Sequence, residues 1–123
     1  MHKHSQLEYA IKLVSKEVIS HYYDSSFPYI EEQIMEKLSA ERCPYLVRTY
    51  ETFKNEDYQY IVMEHVPNGT LIDFIRSQGS KPLKESVAKK IMYQIAKALQ
   101  VLHKKLVIHR DIKLANVLYS ANK

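Results

Sequence analysis

The chain has 123 residues, 46% of them hydrophobic and 26% charged, with a formal net charge of +4. This length allows one domain at most, and the composition is that of an ordinary globular chain. The single cysteine, Cys43, excludes an internal disulfide and fits a reducing intracellular setting, cytoplasmic or nuclear. No apolar run is long enough for a membrane span, and the excess lysines predict a solvated helix face, with no nucleic-acid partner expected.

The first third of the sequence predicts a strand and a helix. Residues 7–14 alternate, with apolar side chains on both faces and a lysine among them, which is typical of a strand. Residues 16–26 are polar and predict a connection. Pro28 opens a predicted helix that runs to about Ala40.

A hairpin and a turn are predicted next. Residues 46–53 and 58–63 are strand-like, and the four polar residues between them suit a hairpin connection. Pro67-Asn68-Gly69 then interrupts the pattern and indicates a turn or hinge.

Two helices and a polar loop are predicted in the second half. Residues 70–77 form a short helix, and residues 84–105 form the longest periodic segment. Its apolar stripe is Val87, Ile91, Ile95, Ala98 and Leu102, which we expect to lie exposed because the sequence offers few helices to cover it. Short strands at 106–108 and 117–119 flank the loop.

The loop carries the residue types of phosphoryl-transfer chemistry. The stretch from His109 to Asn116 reads His-Arg-Asp-Ile-Lys-Leu-Ala-Asn. Such a site needs a carboxylate to orient a hydroxyl, a cation to meet phosphate charge and an amide oxygen for a metal.

The spacing of this stretch resembles the H-R-D-x-x-x-x-N catalytic loop of protein kinases. Tyr9-Ala10-Ile11-Lys12 is similar to the family's V-A-I-K strand, and residues 60–66 are similar to the strand that leads into its hinge. All three segments occur in the family order. Lys113, two positions after Asp111, is more similar to serine/threonine kinases than to tyrosine kinases.

The resemblance implies a fold class, α+β, with a truncated two-lobe protein-kinase architecture. Residues 1–63 would be a partial small lobe of strands and one helix, and residues 64–69 the hinge. Residues 70–123 would be the start of the large lobe, with its first helices and the catalytic loop.

The predicted helix at 28–40 offers an independent check, because the family pairs a helix glutamate with the strand lysine. Glu31 shares a face with Ile34, Met35 and Leu38, so a carboxylate there needs a partner to offset desolvation. Lys12 is the natural partner. The alternative is that Glu31 is an ordinary first-turn residue favoured by the helix dipole.

The resemblance also implies roles for the polar loop residues. Asp111 would orient the hydroxyl of a protein serine or threonine, and Lys113 would neutralise the transferring phosphate of ATP. Asn116 would hold Mg²⁺ through its amide oxygen, which suits a hard cation. His109 is expected to be a packed residue whose ring hydrogen-bonds to the backbone.

A second set of residues is implied to bind the ATP cofactor. Lys12 would contact its phosphates, while the others would contact the nucleoside: Ala10, Met63, Glu64, Val66, Thr70, Leu71 and Leu118. Taken alone, the apolar members of this set are equally well explained as core residues. Thr70 stands where many family members carry an acid that meets the ribose.

Two family motifs are missing from these 123 residues. The chain has only two glycines, Gly69 and Gly79, so it holds no G-x-G-x-x-G phosphate loop, and no Asp-Phe-Gly follows Asn116. The main hypothesis is therefore a fragment of a serine/threonine kinase. One alternative is a catalytically inactive, kinase-derived binding or regulatory protein. A basic module for acidic partners would explain the net charge but none of the motifs.

Overall fold

The computed structural model describes residues 7–22, 33–34, 37–38, 40–79 and 81–122. The chain divides into two compact units. Unit 1 consists of Met1–Ser39 and Val47–His65, and unit 2 consists of Ala40–Leu46 and Val66–Lys123. The polypeptide therefore passes between the units three times.

Unit 1 contains a three-stranded antiparallel sheet. Its strands are β1 (Tyr9–Ser15), β2 (Thr49–Lys54) and β3 (Tyr58–Glu64), and β3 lies in the centre between β1 and β2. The register runs from Tyr9 opposite Glu64 to Ser15 opposite Tyr58. The three strands predicted from alternation are confirmed, with bounds shifted by up to three residues.

The two faces of the sheet differ in burial. Lys12 lies opposite Ile61, so the even-numbered residues of β1 share a face with the odd-numbered residues of β3. Ile61 on that face is 0% exposed, whereas Ile11 on the opposite face is 61% exposed. The core of the sheet is therefore centred on β3, and aromatic pairs such as Phe53 stacked on Tyr60 at 4.8 Å line the other face.

The segment after β1 was predicted as a polar connection, and this prediction is wrong. Residues Lys16–Tyr22 form a helix, α1. Its first residue is tied to the β2–β3 turn, because the Lys16 N–H donates to Asp57 O at 2.9 Å and Lys16 Nζ donates to Asn55 O. Glu17 in the first turn and His21 in the last turn also suit the helix dipole.

Unit 2 contains helix α2 (Leu71–Ser77), helix α3 (Glu85–Lys104) and a 3-10 turn at Leu114–Asn116. Both helices were predicted within two residues. The expectation of an exposed stripe on α3 is wrong. Ala98 and Leu102 are buried and the other three stripe residues are half-buried, while the large exposed apolar side chains of α3 are Met92 and Tyr93.

The end of α3 explains why residues 106–108 are not a strand, contrary to the prediction. Leu106 N–H donates to His103 O at 3.0 Å, and Val107 N–H donates to Leu102 O at 2.9 Å. This pair of bonds is a Schellman cap, which normally places glycine at the left-handed position. Leu106 holds that position instead, with φ +59° and a side chain 90% exposed. Of the strand predicted at 117–119, only a single bridge from Leu118 to Thr70 forms.

The loop Ala40–Leu46 belongs to unit 2 and is attached to α3. Glu41 Oε1 lies 2.7 Å from Lys105 Nζ, just beyond the helix end. Residues 41–45 also line an open cavity of about 230 Å³ together with Lys97, Gln100 and Val101. The ion pair with Lys105 and the shared cavity lining thus hold the loop against α3.

The helix predicted at 28–40 lies largely outside the described residues. Its described members Gln33, Ile34, Lys37 and Leu38 are helical. Among the helices that the structure describes, none combines the length and the apolarity that a bilayer crossing requires.

Candidate active site

The loop after α3 turns sharply at Arg110. This residue has φ +72°, a left-handed conformation that costs a non-glycine residue energy and that recurs at active sites. The Asp111 N–H donates across the turn to Nδ1 of His109 at 3.2 Å. The predicted hydrogen bond between the His109 ring and the backbone is therefore present, although His109 is exposed and not packed.

The three predicted catalytic residues of the loop lie together. Asn116 donates from Nδ2 to both the backbone oxygen and Oδ2 of Asp111, each at 2.8 Å. Lys113 Nζ lies 3.4 Å from the same Oδ2. The 3-10 turn brings Asn116 back towards Asp111, because Asn116 N–H donates to Lys113 O at 2.9 Å.

The surroundings of Asp111 favour its charged form. The hydrogen bond from Asn116, followed by the one from Lys113, lowers the pKa of Asp111 below its ordinary value. All three side chains are exposed to solvent. The loop therefore presents an ionised carboxylate, a cation and an amide within one accessible cluster.

A second group of predicted site residues shares one face of the sheet in unit 1. Ala10 lies directly opposite Met63, and Lys12 lies two positions along β1 on the same face. Lys12 has an interaction partner in the structure. Its predicted partner Glu31 lies outside the described residues, so the pair remains a prediction.

The end of β3 is braced by Arg48. The Glu64 N–H donates to Arg48 O at 2.8 Å, and Glu64 Oε2 accepts from the Arg48 N–H at 3.2 Å. The backbone N–H of Glu64 is thus engaged within unit 1. Any backbone contact from Glu64 to a ligand therefore falls to its carbonyl oxygen.

Thr70 is the N-cap of α2, and its hydroxyl is committed to Asp73. Thr70 Oγ1 donates to Asp73 Oδ2 at 2.6 Å, and the Thr70 N–H donates to the same oxygen at 3.0 Å. The Asp73 N–H donates back to Thr70 Oγ1 at 3.3 Å, which completes a capping box. These bonds from Thr70 hold the pKa of Asp73 below its ordinary value.

The remaining predicted nucleotide-site residues of unit 2 differ in accessibility. Leu71 is 4% exposed and packs in the core of the unit. Leu118 is 45% exposed and forms its bridge with Thr70. Val66 is half-buried. The structure therefore brings Thr70, Leu71 and Leu118 together, with Leu118 offering the accessible apolar surface.

Sequence reasoning missed three residues near this group. Asp73 completes the cap of α2, and the rings of Phe74 and Tyr119 stack with centroids 4.2 Å apart. The Thr-x-x-Asp spacing before an apolar run could have indicated the cap. Nothing local in the sequence pairs Phe74 with Tyr119, because they are 45 residues apart.

Comparison with known proteins points to one family. The family model described as "Protein kinase domain" matches residues 1–123. The chain is 34% identical over 123 residues to serine/threonine-protein kinase ATG1a of Arabidopsis thaliana, covering 98% of this chain and 18% of that protein.

Two other relatives show the same relation. Serine/threonine-protein kinase SIK2 of Gallus gallus is 33% identical, with 98% of this chain and 14% of that protein covered. Aurora kinase of Saccharomyces cerevisiae is 36% identical, with 92% and 29% covered. The chain thus spans less than a third of the length of each of these relatives. With a family model matched from residue 1 to residue 123, and with Asp111, Lys113 and Asn116 clustered in the loop after α3, the chain belongs to the protein kinase domain family.

Proposed function

We propose that this chain carries catalytic residues of a protein serine/threonine kinase, which transfers the γ-phosphate of ATP to a hydroxyl group of a protein. The cluster of Asp111, Lys113 and Asn116 is the observation that carries the proposal. Its three side chains meet at one carboxylate oxygen, within 3.4 Å. Two of the named relatives are serine/threonine-protein kinases, which supports the same activity.

Asp111 would orient the attacking hydroxyl. Its lowered pKa keeps the carboxylate ionised near neutral pH, so it can accept a hydrogen bond from a serine or threonine hydroxyl. The same low pKa makes Asp111 a weak proton acceptor. Its main contribution is therefore to position the hydroxyl, and the phosphoryl group leaves through a loose transition state that needs little base strength.

Lys113 would neutralise the charge of the phosphate, and Asn116 would hold the metal ion. Lys113 is exposed and within reach of Asp111, so its ammonium group can meet phosphate oxygens beside the hydroxyl. Asn116 uses its amide nitrogen for both bonds to Asp111, which leaves its amide oxygen as a hard ligand suited to Mg²⁺. Kinases in general use ATP with a divalent metal, which supplies charge neutralisation at the transferring phosphate.

We also propose nucleotide-binding roles for residues of the sheet and assign segments of the chain to two lobes. Lys12 would bind nucleotide phosphates and pair with Glu31, while Ala10, Met63 and the backbone of Glu64 would serve the nucleoside. Ala10 and Met63 lie opposite each other on the Lys12 face, which supports this grouping. Residues 1–63, 64–69 and 70–123 are proposed as small-lobe, hinge and large-lobe segments.

The test is phosphoryl transfer from radiolabelled Mg·ATP to a mixed protein substrate, followed by identification of the phosphorylated amino acid. We expect phosphoserine or phosphothreonine. Asp111→Asn keeps the shape of the side chain but removes its charge, and should lower the rate by about 10²- to 10⁴-fold. Asp57→Asn is the matched control, because Asp57 is an exposed aspartate of the β2–β3 turn.

Equal rates for Asp111→Asn and the wild type would show that Asp111 is not the hydroxyl-orienting residue. Failure of the wild type to bind Mg·ATP and to transfer phosphate would contradict the proposed function and favour the inactive, kinase-derived binding protein. Nothing in the comparisons favours that alternative, since the similar proteins named above are kinases.

A further inference from the structure

Two segments of unit 2 that lie far apart in sequence pair with each other next to Leu118. Leu71 N–H donates to Val117 O at 2.7 Å, and Tyr119 N–H donates to Gly69 O at 2.9 Å. These bonds flank the single bridge between Thr70 and Leu118. We refer to residues 68–71 and 117–121, which these bonds join, as the clasp.

The clasp includes few backbone hydrogen bonds, so its stability depends on what surrounds it. Isolated two-stranded pairing is marginal in water. At one end Asn68 Oδ1 accepts from the Ala121 N–H at 3.4 Å, a long bond. The close contact beside the clasp is the stack of Phe74 on Tyr119, with an interplanar angle of 17°.

The position of the Phe74 ring is set by α2. The capping box fixes the first turn of the helix, and Phe74 N–H donates to Thr70 O at 3.1 Å. Gly69 precedes the cap with φ +78°, and a Cβ there would come 3.1 Å from Asp73 Oδ2. The capped first turn of α2 therefore fixes the position of the Phe74 ring against Tyr119.

Leu118, within the clasp, has an accessible side chain on a constrained backbone. Its side chain is 45% exposed, although its neighbours are tied to Gly69 and Leu71 through the backbone. An accessible apolar side chain on a fixed backbone is suited to contact the flat face of a purine, whereas a mobile one would lose entropy on binding.

We propose that Phe74 and Tyr119 are positioning residues for nucleotide binding, which hold the clasp closed and keep Leu118 in place for the purine ring. The inference rests on the proposed function. Neither ring needs to touch the nucleotide. The two rings act through the backbone hydrogen bonds of Leu71 and Tyr119, which hold Leu118. Losing the stack should therefore weaken binding of the base and leave binding of the phosphates unchanged.

The test compares Tyr119→Ala and Tyr119→Phe in the complete chain by NMR. Stacks of this kind change an equilibrium by a factor of about 2 to 10. We expect the amide protons of Leu71 and of residue 119 to exchange with solvent about fivefold faster in Tyr119→Ala. Tyr119→Phe retains the ring, and should restore the wild-type rates.

The second measurement is binding of two probes, Mg·ADP and Mg·pyrophosphate. Tyr119→Ala should weaken Mg·ADP binding about fivefold and leave Mg·pyrophosphate binding unchanged. Tyr93→Ala is the matched control, because Tyr93 is an exposed tyrosine of α3 outside the clasp. If Tyr119→Ala does not fold, Phe74→Leu serves instead, since leucine keeps apolar contact but not the stack.

The outcomes separate the two proposals. Unchanged amide exchange, or equal loss of both probes, would overturn the positioning role while the proposed function stands. If the wild-type chain binds neither probe, the proposed function fails and the nucleotide role of the stack fails with it. Faster exchange with selective loss of Mg·ADP supports the proposal.

Discussion

The sheet of unit 1 and the loop from Leu106 to Tyr119 in unit 2 are held in place by different means. In the sheet, β1 and β2 pair with β3 over nearly their whole length, and the side chains alternate between two faces. In the loop, two non-glycine residues, Leu106 and Arg110, have left-handed backbones. The described hydrogen bonds of the loop come from side chains, from the cap of α3, from the 3-10 turn and from the clasp.

The sheet and the loop therefore respond differently to the loss of a side chain. The sheet gains stability from a buried centre and repetitive pairing, so loss of one exposed side chain matters little. Each bond in the loop has one particular donor and acceptor, so the arrangement around Asp111 depends on single residues. Substitutions in the two regions can therefore test this contrast.

Ile61→Ala should cause the largest loss of stability. Ile61 is 0% exposed at the centre of the sheet, and truncation of such a residue lowers the free energy of unfolding by about 2 to 5 kcal/mol. The measurement is urea unfolding followed by circular dichroism. Ile11→Ala, on the exposed face of β1, is the control and should cost less than about 1 kcal/mol. Equal losses would mean that the buried centre of the sheet is misplaced.

Thr70→Ala should remove the cap of α2. Loss of an N-cap side chain lowers the free energy of unfolding by about 1 kcal/mol. Ser86→Ala, an exposed serine in the first turn of α3, is the control and should change stability by less than about 0.5 kcal/mol. The same urea unfolding measures both variants, and a Thr70→Ala protein as stable as the control would contradict the capping role.

The contribution of this cap should depend on pH. The pKa of Asp73 in the folded chain is held below its ordinary value by Thr70, so the stabilisation is present above the ordinary aspartate pKa. It is lost as the pH falls through the lowered value. The difference in unfolding free energy between wild type and Thr70→Ala should therefore shrink in acid. A constant difference between neutral pH and the acid range would exclude this linkage.

Leu106→Gly should stabilise the chain. The left-handed conformation at φ +59° costs leucine about 1 kcal/mol, and the side chain is 90% exposed, so little packing is lost with it. Thermal unfolding measures the gain. Leu106→Ala is the matched control, because alanine loses the same contacts but keeps the conformational cost. A gain in both variants would point to removal of an exposed apolar side chain as the cause.

Asn116→Ala should raise the pKa of Asp111 towards its ordinary value. The hydrogen bond from Asn116 is the largest cause of the lowered value, and the one from Lys113 is the second. The carboxyl carbon of Asp111 can be followed by NMR during an acid titration. Lys113→Ala should also raise the pKa, because Lys113 lowers it both through a hydrogen bond and through its charge. An unchanged pKa in Asn116→Ala would contradict the role of the amide hydrogen bond.

Strands and helices were predictable from the sequence where the spacing of apolar residues matches the buried face of the element. The alternation in β1 and the three-to-four spacing in α3 placed both elements within two residues. Helix α1 was missed because its first residue is held by the distant β2–β3 turn, a contact that no local pattern reveals. Residues 106–108 were misread because their apolar character suits a strand, while their backbone serves the cap of α3.

The candidate site was predictable in part. The spacing from Asp111 to Asn116 indicated that these residues act together, and the 3-10 turn does bring them into contact. The hydrogen bond that commits the Thr70 hydroxyl to Asp73 was not foreseen, because a residue type does not show which partner its hydroxyl will choose. The stack of Phe74 on Tyr119 depends on the clasp, which exists only in the folded chain.

The order in which the chain visits its two units limits how the protein can be dissected. A cut between His65 and Val66 leaves the loop Ala40–Leu46 with the amino-terminal piece, although its contacts are with α3. Lys105 would lose Glu41, and the carboxy-terminal piece would expose the cavity that the loop lines. Expression of unit 2 by itself therefore calls for a rejoined chain in which residues 40–46 are grafted ahead of residue 66.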